Sequence, residues 1–96
     1  MPKAYLVVCY HKITDPAKLA AYGKLVDPAL EAAGGHFLAR GVAVHAYEAG
    51  QLDWTVVAEF ESVEKAAACY HSAAYQKALK ALDGGAIRDM RIVPGV

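Results

Sequence analysis

"GGHFLARG", residues 34–41, is where a helical pattern gives way to an extended one. Gly34-Gly35 closes the helix, one of the two taking the left-handed cap conformation. Phe37, Leu38 and Ala39 then open a strand, Arg40 follows directly, and Gly41 marks a bulge or bend. An arginine in an apolar strand of a small domain needs an explanation, and the flanking segments supply the candidates.

Upstream, "AYLVVCYH" (residues 4–11) is rich in β-branched and aromatic residues and reads as a first strand. Asp15-Pro16 then sets an N-cap and a first-turn proline. Leu19, Tyr22, Gly23, Val26, Leu30 and Ala33 recur at three- and four-residue spacing, one apolar helix face. Asp27-Pro28 repeats the cap signal inside that pattern, so a kink or restart is expected there.

Downstream, the extended pattern runs from His36 to about Glu48, and Ala49 to Leu52 is read as the hairpin connection into "DWTVVAEF", residues 53–60. Ser62 caps a second helix and Ser72 its continuation, which ends at Gly84-Gly85. "AIRDMRIV", residues 86–93, is the last strand. The order βαββαβ predicts an α+β, ferredoxin-like domain over residues 1–96: a four-stranded antiparallel sheet with its helices on one face.

One sheet face is then open. In the third strand Trp54, Val56, Ala58 and Phe60 alternate with Asp53, Thr55, Val57 and Glu59. In the last, Arg88, Met90 and Ile92 oppose Ile87, Asp89, Arg91 and Val93; in the second, Phe37 and Ala39 oppose His36, Leu38 and Arg40. Strict alternation therefore puts Arg40, Glu59 and Arg91 on the open face, with Glu59 or Asp89 as the carboxylate for Arg40. Charges paired within an apolar surround suit a self-complementary homodimer interface. A solvated arginine on an open sheet is the other reading.

Composition narrows the classes. The chain has 96 residues, enough for one core, with ten basic and ten acidic residues. That balance gives no electrostatic footprint for nucleic acid. The longest apolar run, Ala4 to Tyr10, is too short to cross a bilayer, and a cytoplasmic location is expected. Cys9 and Cys69 read as reduced core residues. No histidine or cysteine pair has ligand spacing, so neither metal nor cofactor is expected.

The Thr-Asp-Pro start of the first helix, Tyr22, Pro28, "GGHFLARG", "VVAEFES", "SAAYQ" and the closing "RIVPGV" together resemble domain of unknown function 1330 (DUF1330), over nearly the whole chain. That family is similar to the dimeric α/β-barrel superfamily, in which two ferredoxin-like subunits press their sheets together. The resemblance implies a homodimer through the open sheet face. It also implies a range of activities that includes cofactor-free oxygenases and lactone isomerases as well as pure ligand binders. Haem degradation is excluded on residues, because those relatives use an Asn, Trp and His set and this chain contains no asparagine.

In such relatives the ligand lies between helices and sheet. Candidates there are Tyr22, Trp54, Tyr70 and Tyr75 as pocket aromatics, with Tyr22, His36 or His71 as proton-handling groups. A tyrosine on an apolar helix stripe is more often a core residue whose hydroxyl reaches a backbone carbonyl or water, and a histidine without an orienting carboxylate more often a surface or capping residue. Ser72 is a helix cap without a nucleophile elbow around it. The expected activity is a cofactor-free enzyme, oxygenase- or isomerase-like, on a small aromatic or oxo-acid metabolite; the alternative is a non-catalytic binding or interaction dimer.

Overall fold

The computed structural model describes residues 2–96. Seven elements follow in order: β1 (Ala4–Ile13), α1 (Pro16–Ala32), β2 (His36–Val42), β3 (Trp54–Phe60), α2 (Val63–His71), α3 (Ala73–Leu82) and β4 (Ala86–Pro94). The strands form one sheet in the order β2-β3-β1-β4, every neighbouring pair antiparallel. This is the ferredoxin-like βαββαβ arrangement, with the second helix divided at Ser72.

The caps work as the sequence indicates. The Asp15 carboxylate accepts from the amides of Ala17 and Lys18, and Ser62 Oγ accepts from Lys65 N–H. Ser72 Oγ donates to the Cys69 carbonyl at the end of α2 and accepts from Tyr75 N–H at the start of α3, so one hydroxyl serves two helix ends. Gly34 takes the left-handed conformation after α1 (φ 81°). Gly35 is needed for space, since a Cβ there would lie 2.6 Å from Leu30 Cδ2 and 2.8 Å from the Phe60 ring.

Two expectations about elements need correction. No restart occurs at Asp27-Pro28: α1 runs unbroken through Pro28, because Tyr22 and Val26 before the proline and Ala29 and Leu30 after it are all buried in the same core. And β2 ends at Val42 instead of continuing to Glu48; residues 43–53 form a longer loop, tied at its base by the Ala43 N–H to Asp53 carbonyl bond. Its tip turns through Glu48 at φ 54° and exposes Val44, Tyr47 and Leu52.

The core lies between the helices and one sheet face. Ala4, Leu6, Val8 and Tyr10 of β1 align with Phe60, Ala58, Val56 and Trp54 of β3, and these meet Tyr22, Val26, Leu30, Cys69, Tyr75, Ala78 and Leu82 from the helices. Trp54 alone of that strand face remains about one third exposed, at 36 %. The opposite face carries Tyr5, Val7 and Cys9 of β1 against Glu59, Val57 and Thr55 of β3 and Val93, Arg91 and Asp89 of β4. Lys3 Nζ and the Tyr5 hydroxyl both donate to the Glu59 carboxylate, while Arg91 makes a two-pronged pair with Asp89 at 3.0 and 2.9 Å.

Arg40 does not join them. A bulge between Phe37 and Ala39 leaves Leu38 without a register partner, so Ala39 pairs with Val57 and Arg40 with Val56. A one-residue offset moves a side chain to the other face. Arg40 therefore lies on the helix side, donating from Nη1 and Nη2 to the two Asp27 carboxylate oxygens of α1 at 3.2 and 3.3 Å. Its expected partners, Glu59 and Asp89, are on the far side of the sheet.

Candidate functional site

Between α1 and the sheet lies a mostly apolar cavity of about 170 Å³. Leu6, Val8, Val56 and Ala58 floor it from the sheet, and Leu19, Val26 and Leu30 wall it from α1. Gly23 of α1 also lines it, and a Cβ added there meets no atom within 4 Å. A cavity of roughly 150 Å³ suffices for one benzene-sized ring, so the space suits a compact planar molecule.

The polar groups are concentrated at one place. Register puts Arg88 of β4 beside Tyr10 of β1 on the helix side. Arg88 Nη1 donates to Tyr22 Oη at 3.0 Å and to Tyr10 Oη at 3.3 Å, and the Tyr22 and Tyr75 hydroxyls are 2.8 Å apart. The guanidinium also stands over both rings, 4.8 Å from the Tyr22 centroid and 5.4 Å from that of Tyr10. Burial, followed by the neighbouring Tyr22, pushes the Tyr75 phenol far above its ordinary value; burial likewise raises Tyr10, against the opposing pull of Arg88. Both phenols are neutral across the physiological range and can donate or accept without ionising.

The second charged group is the Arg40–Asp27 pair. Arg40 lies 3.6 Å over the centroid of the Phe37 ring, and all three residues line the cavity. Their partial exposure places them at its solvent side, with side-chain exposures of 37 % and 42 % for Arg40 and Asp27.

Of the expected residues, the structure brings Tyr22, Trp54 and Tyr75 together around this cavity. Tyr70 stands one layer back, its ring tilted against Tyr75 at 5.1 Å. His36 is exposed and opposite Glu59 on the open face, and His71 is exposed at the end of α2, edge-on to Tyr70. Neither histidine lines the cavity. Sequence reasoning missed Arg88, Tyr10 and the Arg40–Asp27 pair as cavity residues. A signal existed for Arg88, which is in phase with the core residues Met90 and Ile92. Among the described residues no three His, Cys, Asp or Glu side chains gather closely enough to hold a metal ion, and no helix is long and apolar enough to cross a membrane.

The fold and the interior cavity define a ferredoxin-like α+β domain with a small-molecule-sized space between helices and sheet. The chain belongs to the domain of unknown function family DUF1330, which it matches over residues 3–96. Solved structures show the same fold at low identity. A protein of unknown function from Rhodopseudomonas palustris is 17% identical with a TM-score of 0.74, over 99% of this chain and 83% of that one. SnoaB, a cofactor-independent oxygenase from Streptomyces nogalater, is 9% identical with a TM-score of 0.65, over 97% and 92%. A dimeric protein of unknown function and ferredoxin-like fold from Bacteroides fragilis is 13% identical with a TM-score of 0.57, over 96% and 95%. A search of curated proteins finds no match.

Proposed function

We propose that this protein is a cofactor-free enzyme, oxygenase- or isomerase-like, acting on a small aromatic or oxo-acid metabolite in the cavity between α1 and the sheet. The observation that carries this is the convergence of Arg88, Tyr10, Tyr22 and Tyr75 on one apolar space of about 170 Å³. Preorganised donors in a water-poor site stabilise negative charge as it develops on a substrate oxygen. Enolate-forming isomerisation and oxygenation through a substrate carbanion both need that stabilisation. Tyr22 links the arginine to Tyr75 and is the residue best placed to position a proton. Likeness of fold to a cofactor-independent oxygenase supports the reading without fixing the substrate.

A non-catalytic ligand binder is the second reading, and a specific observation favours it. The two candidate histidine bases lie outside the cavity, Tyr10 and Tyr75 hold their protons, and Asp27 is engaged by Arg40. The working form in either case is a homodimer through the open sheet face; one fold relative is described as dimeric. A cytoplasmic, reducing location fits the two free cysteines.

A thermal-shift panel of quinols, aromatic acids, lactones and oxo-acids, followed by turnover assays in air and without oxygen, separates these readings. Gly23→Leu is the control, because it adds a large side chain at a residue that lines the cavity while improving helix propensity by about 1 kcal/mol. Stabilising ligands should lose their effect in Gly23→Leu, and turnover should drop at least about tenfold in Tyr22→Phe. Binding without turnover selects the second reading, and ligands that still stabilise Gly23→Leu move the site elsewhere.

A further inference from the structure

Among the described residues the three arginines are not equivalent. Arg40 gives both terminal nitrogens to Asp27, and Arg91 gives Nε and Nη2 to Asp89. Arg88 faces no carboxylate, although it is the one that stands deepest among apolar neighbours, between Tyr10 and Tyr22. Its only protein partners are two phenolic oxygens, both taken by Nη1. Nε and Nη2, the edge that matches a carboxylate with two parallel N–H donors, have no partner among the described residues.

A cation in an apolar cavity without a counter-charge is costly. Tyr10 and Tyr75 cannot supply one, because burial keeps their protons in place. The charged residues lining the cavity are Arg40, Arg88 and Asp27. Two positive and one negative leave a single positive charge, and it resides on Arg88 because Arg40 is matched by Asp27.

We propose that the free edge of Arg88 is a carboxylate receptor, so that this site takes compact planar monocarboxylates, aromatic acids or short 2-oxo acids, in preference to neutral isosteres and dicarboxylates. The proposal rests on the cavity being the ligand site and goes beyond it by assigning charge and size. A volume of about 170 Å³ accommodates one ring or a short branched oxo acid. Selection against dicarboxylates follows from the same count, since a second carboxylate would meet the already neutralised Arg40–Asp27 pair.

The test compares charged and neutral versions of one shape by calorimetry: benzoate against benzamide, 3-methyl-2-oxobutanoate against its methyl ester, and phthalate as the dicarboxylate. In the unaltered protein each monocarboxylate should bind at least about tenfold tighter than its neutral isostere, the scale of a hydrogen bond to a charged group. Arg88→Gln should erase that preference, and Arg88→Lys should retain part of it by keeping charge without the fork. Carboxylate affinity should also be flat from about pH 6 to 9, because arginine does not titrate there. If benzamide and the ester bind as well as the acids, or the preference survives in Arg88→Gln, the receptor assignment is overturned while the cavity stands as a neutral-ligand site. If neither member of any pair binds, both assignments fall. Should Arg88→Gln not fold, the isostere comparison in the unaltered protein and Arg88→Lys decide the matter.

Discussion

At the scale of single residues, the site is a chain of phenols around one cation. Tyr75 is the most deeply buried of them, with a fully covered ring whose hydroxyl meets Tyr22. Its raised pKa has a consequence for stability. Above about pH 10 a tyrosine in the unfolded chain gives up its proton, whereas Tyr75 in the fold keeps its own because burial and Tyr22 disfavour the phenolate. The unfolded state then binds fewer protons, so stability is fully present below about pH 10 and is lost as pH rises beyond it. Tyr75→Phe should cost about 1 kcal/mol near neutrality through the lost hydrogen bond, yet show a shallower decline between pH 9.5 and 11 in urea unfolding, a window set by the ordinary phenol value. Equal alkaline slopes for the two proteins would contradict this account of Tyr75. In sequence, Tyr22 and Tyr75 were legible as helix-face residues. Their junction with Arg88 was not, because the hydrogen bonds from Arg88 span 66 residues to Tyr22 and 78 to Tyr10, and single-strand alternation carries no record of such closures.

At the scale of elements, one bulge decides where the charge in "GGHFLARG" goes. Alternation read through Leu38 places Arg40 with Glu59 and Arg91; the register shift at Phe37/Ala39 returns it to the helix side, where Asp27 waits on α1. The sequence shows the pieces, a glycine beside the arginine and a carboxylate in the helix, but the bulge lies two residues before Arg40 and not after it. The unbroken α1 has a similar cause. Tertiary burial on both sides of Pro28 outweighs the missing N–H to the Lys24 carbonyl, and Asp27, not needed as a cap, is available to Arg40. The placement separates two variants that a simple alternation would treat alike. Glu59→Ala, on the open face, should raise the dimer dissociation constant by about tenfold or more, whereas Arg40→Ala should leave it unchanged and alter ligand binding. Sedimentation of both variants checks this, and equal weakening would return Arg40 to the interface.

At the scale of the whole molecule, the two faces of the sheet divide the work. The helix face holds the core and the cavity, and the opposite face presents valines, Cys9 and three locally satisfied charged groups. The order of elements was readable because caps, glycine pairs and β-rich runs agree along the chain. The cavity was not, since it is the gap left between side chains from six elements. Six tyrosines report on both faces: Tyr10, Tyr22 and Tyr75 around the cavity, Tyr70 behind it, Tyr5 on the open face and Tyr47 on the loop. The most direct measurement is therefore an NMR titration of protein labelled in its tyrosine rings with benzoate. Ligand-dependent shifts at Tyr10, Tyr22 and Tyr75, with Tyr5 and Tyr47 unmoved and the response abolished by Gly23→Leu, are the predicted result. Shifts confined to Tyr5 or Tyr47, or none at saturating benzoate, would contradict the assignment of this cavity as the functional site.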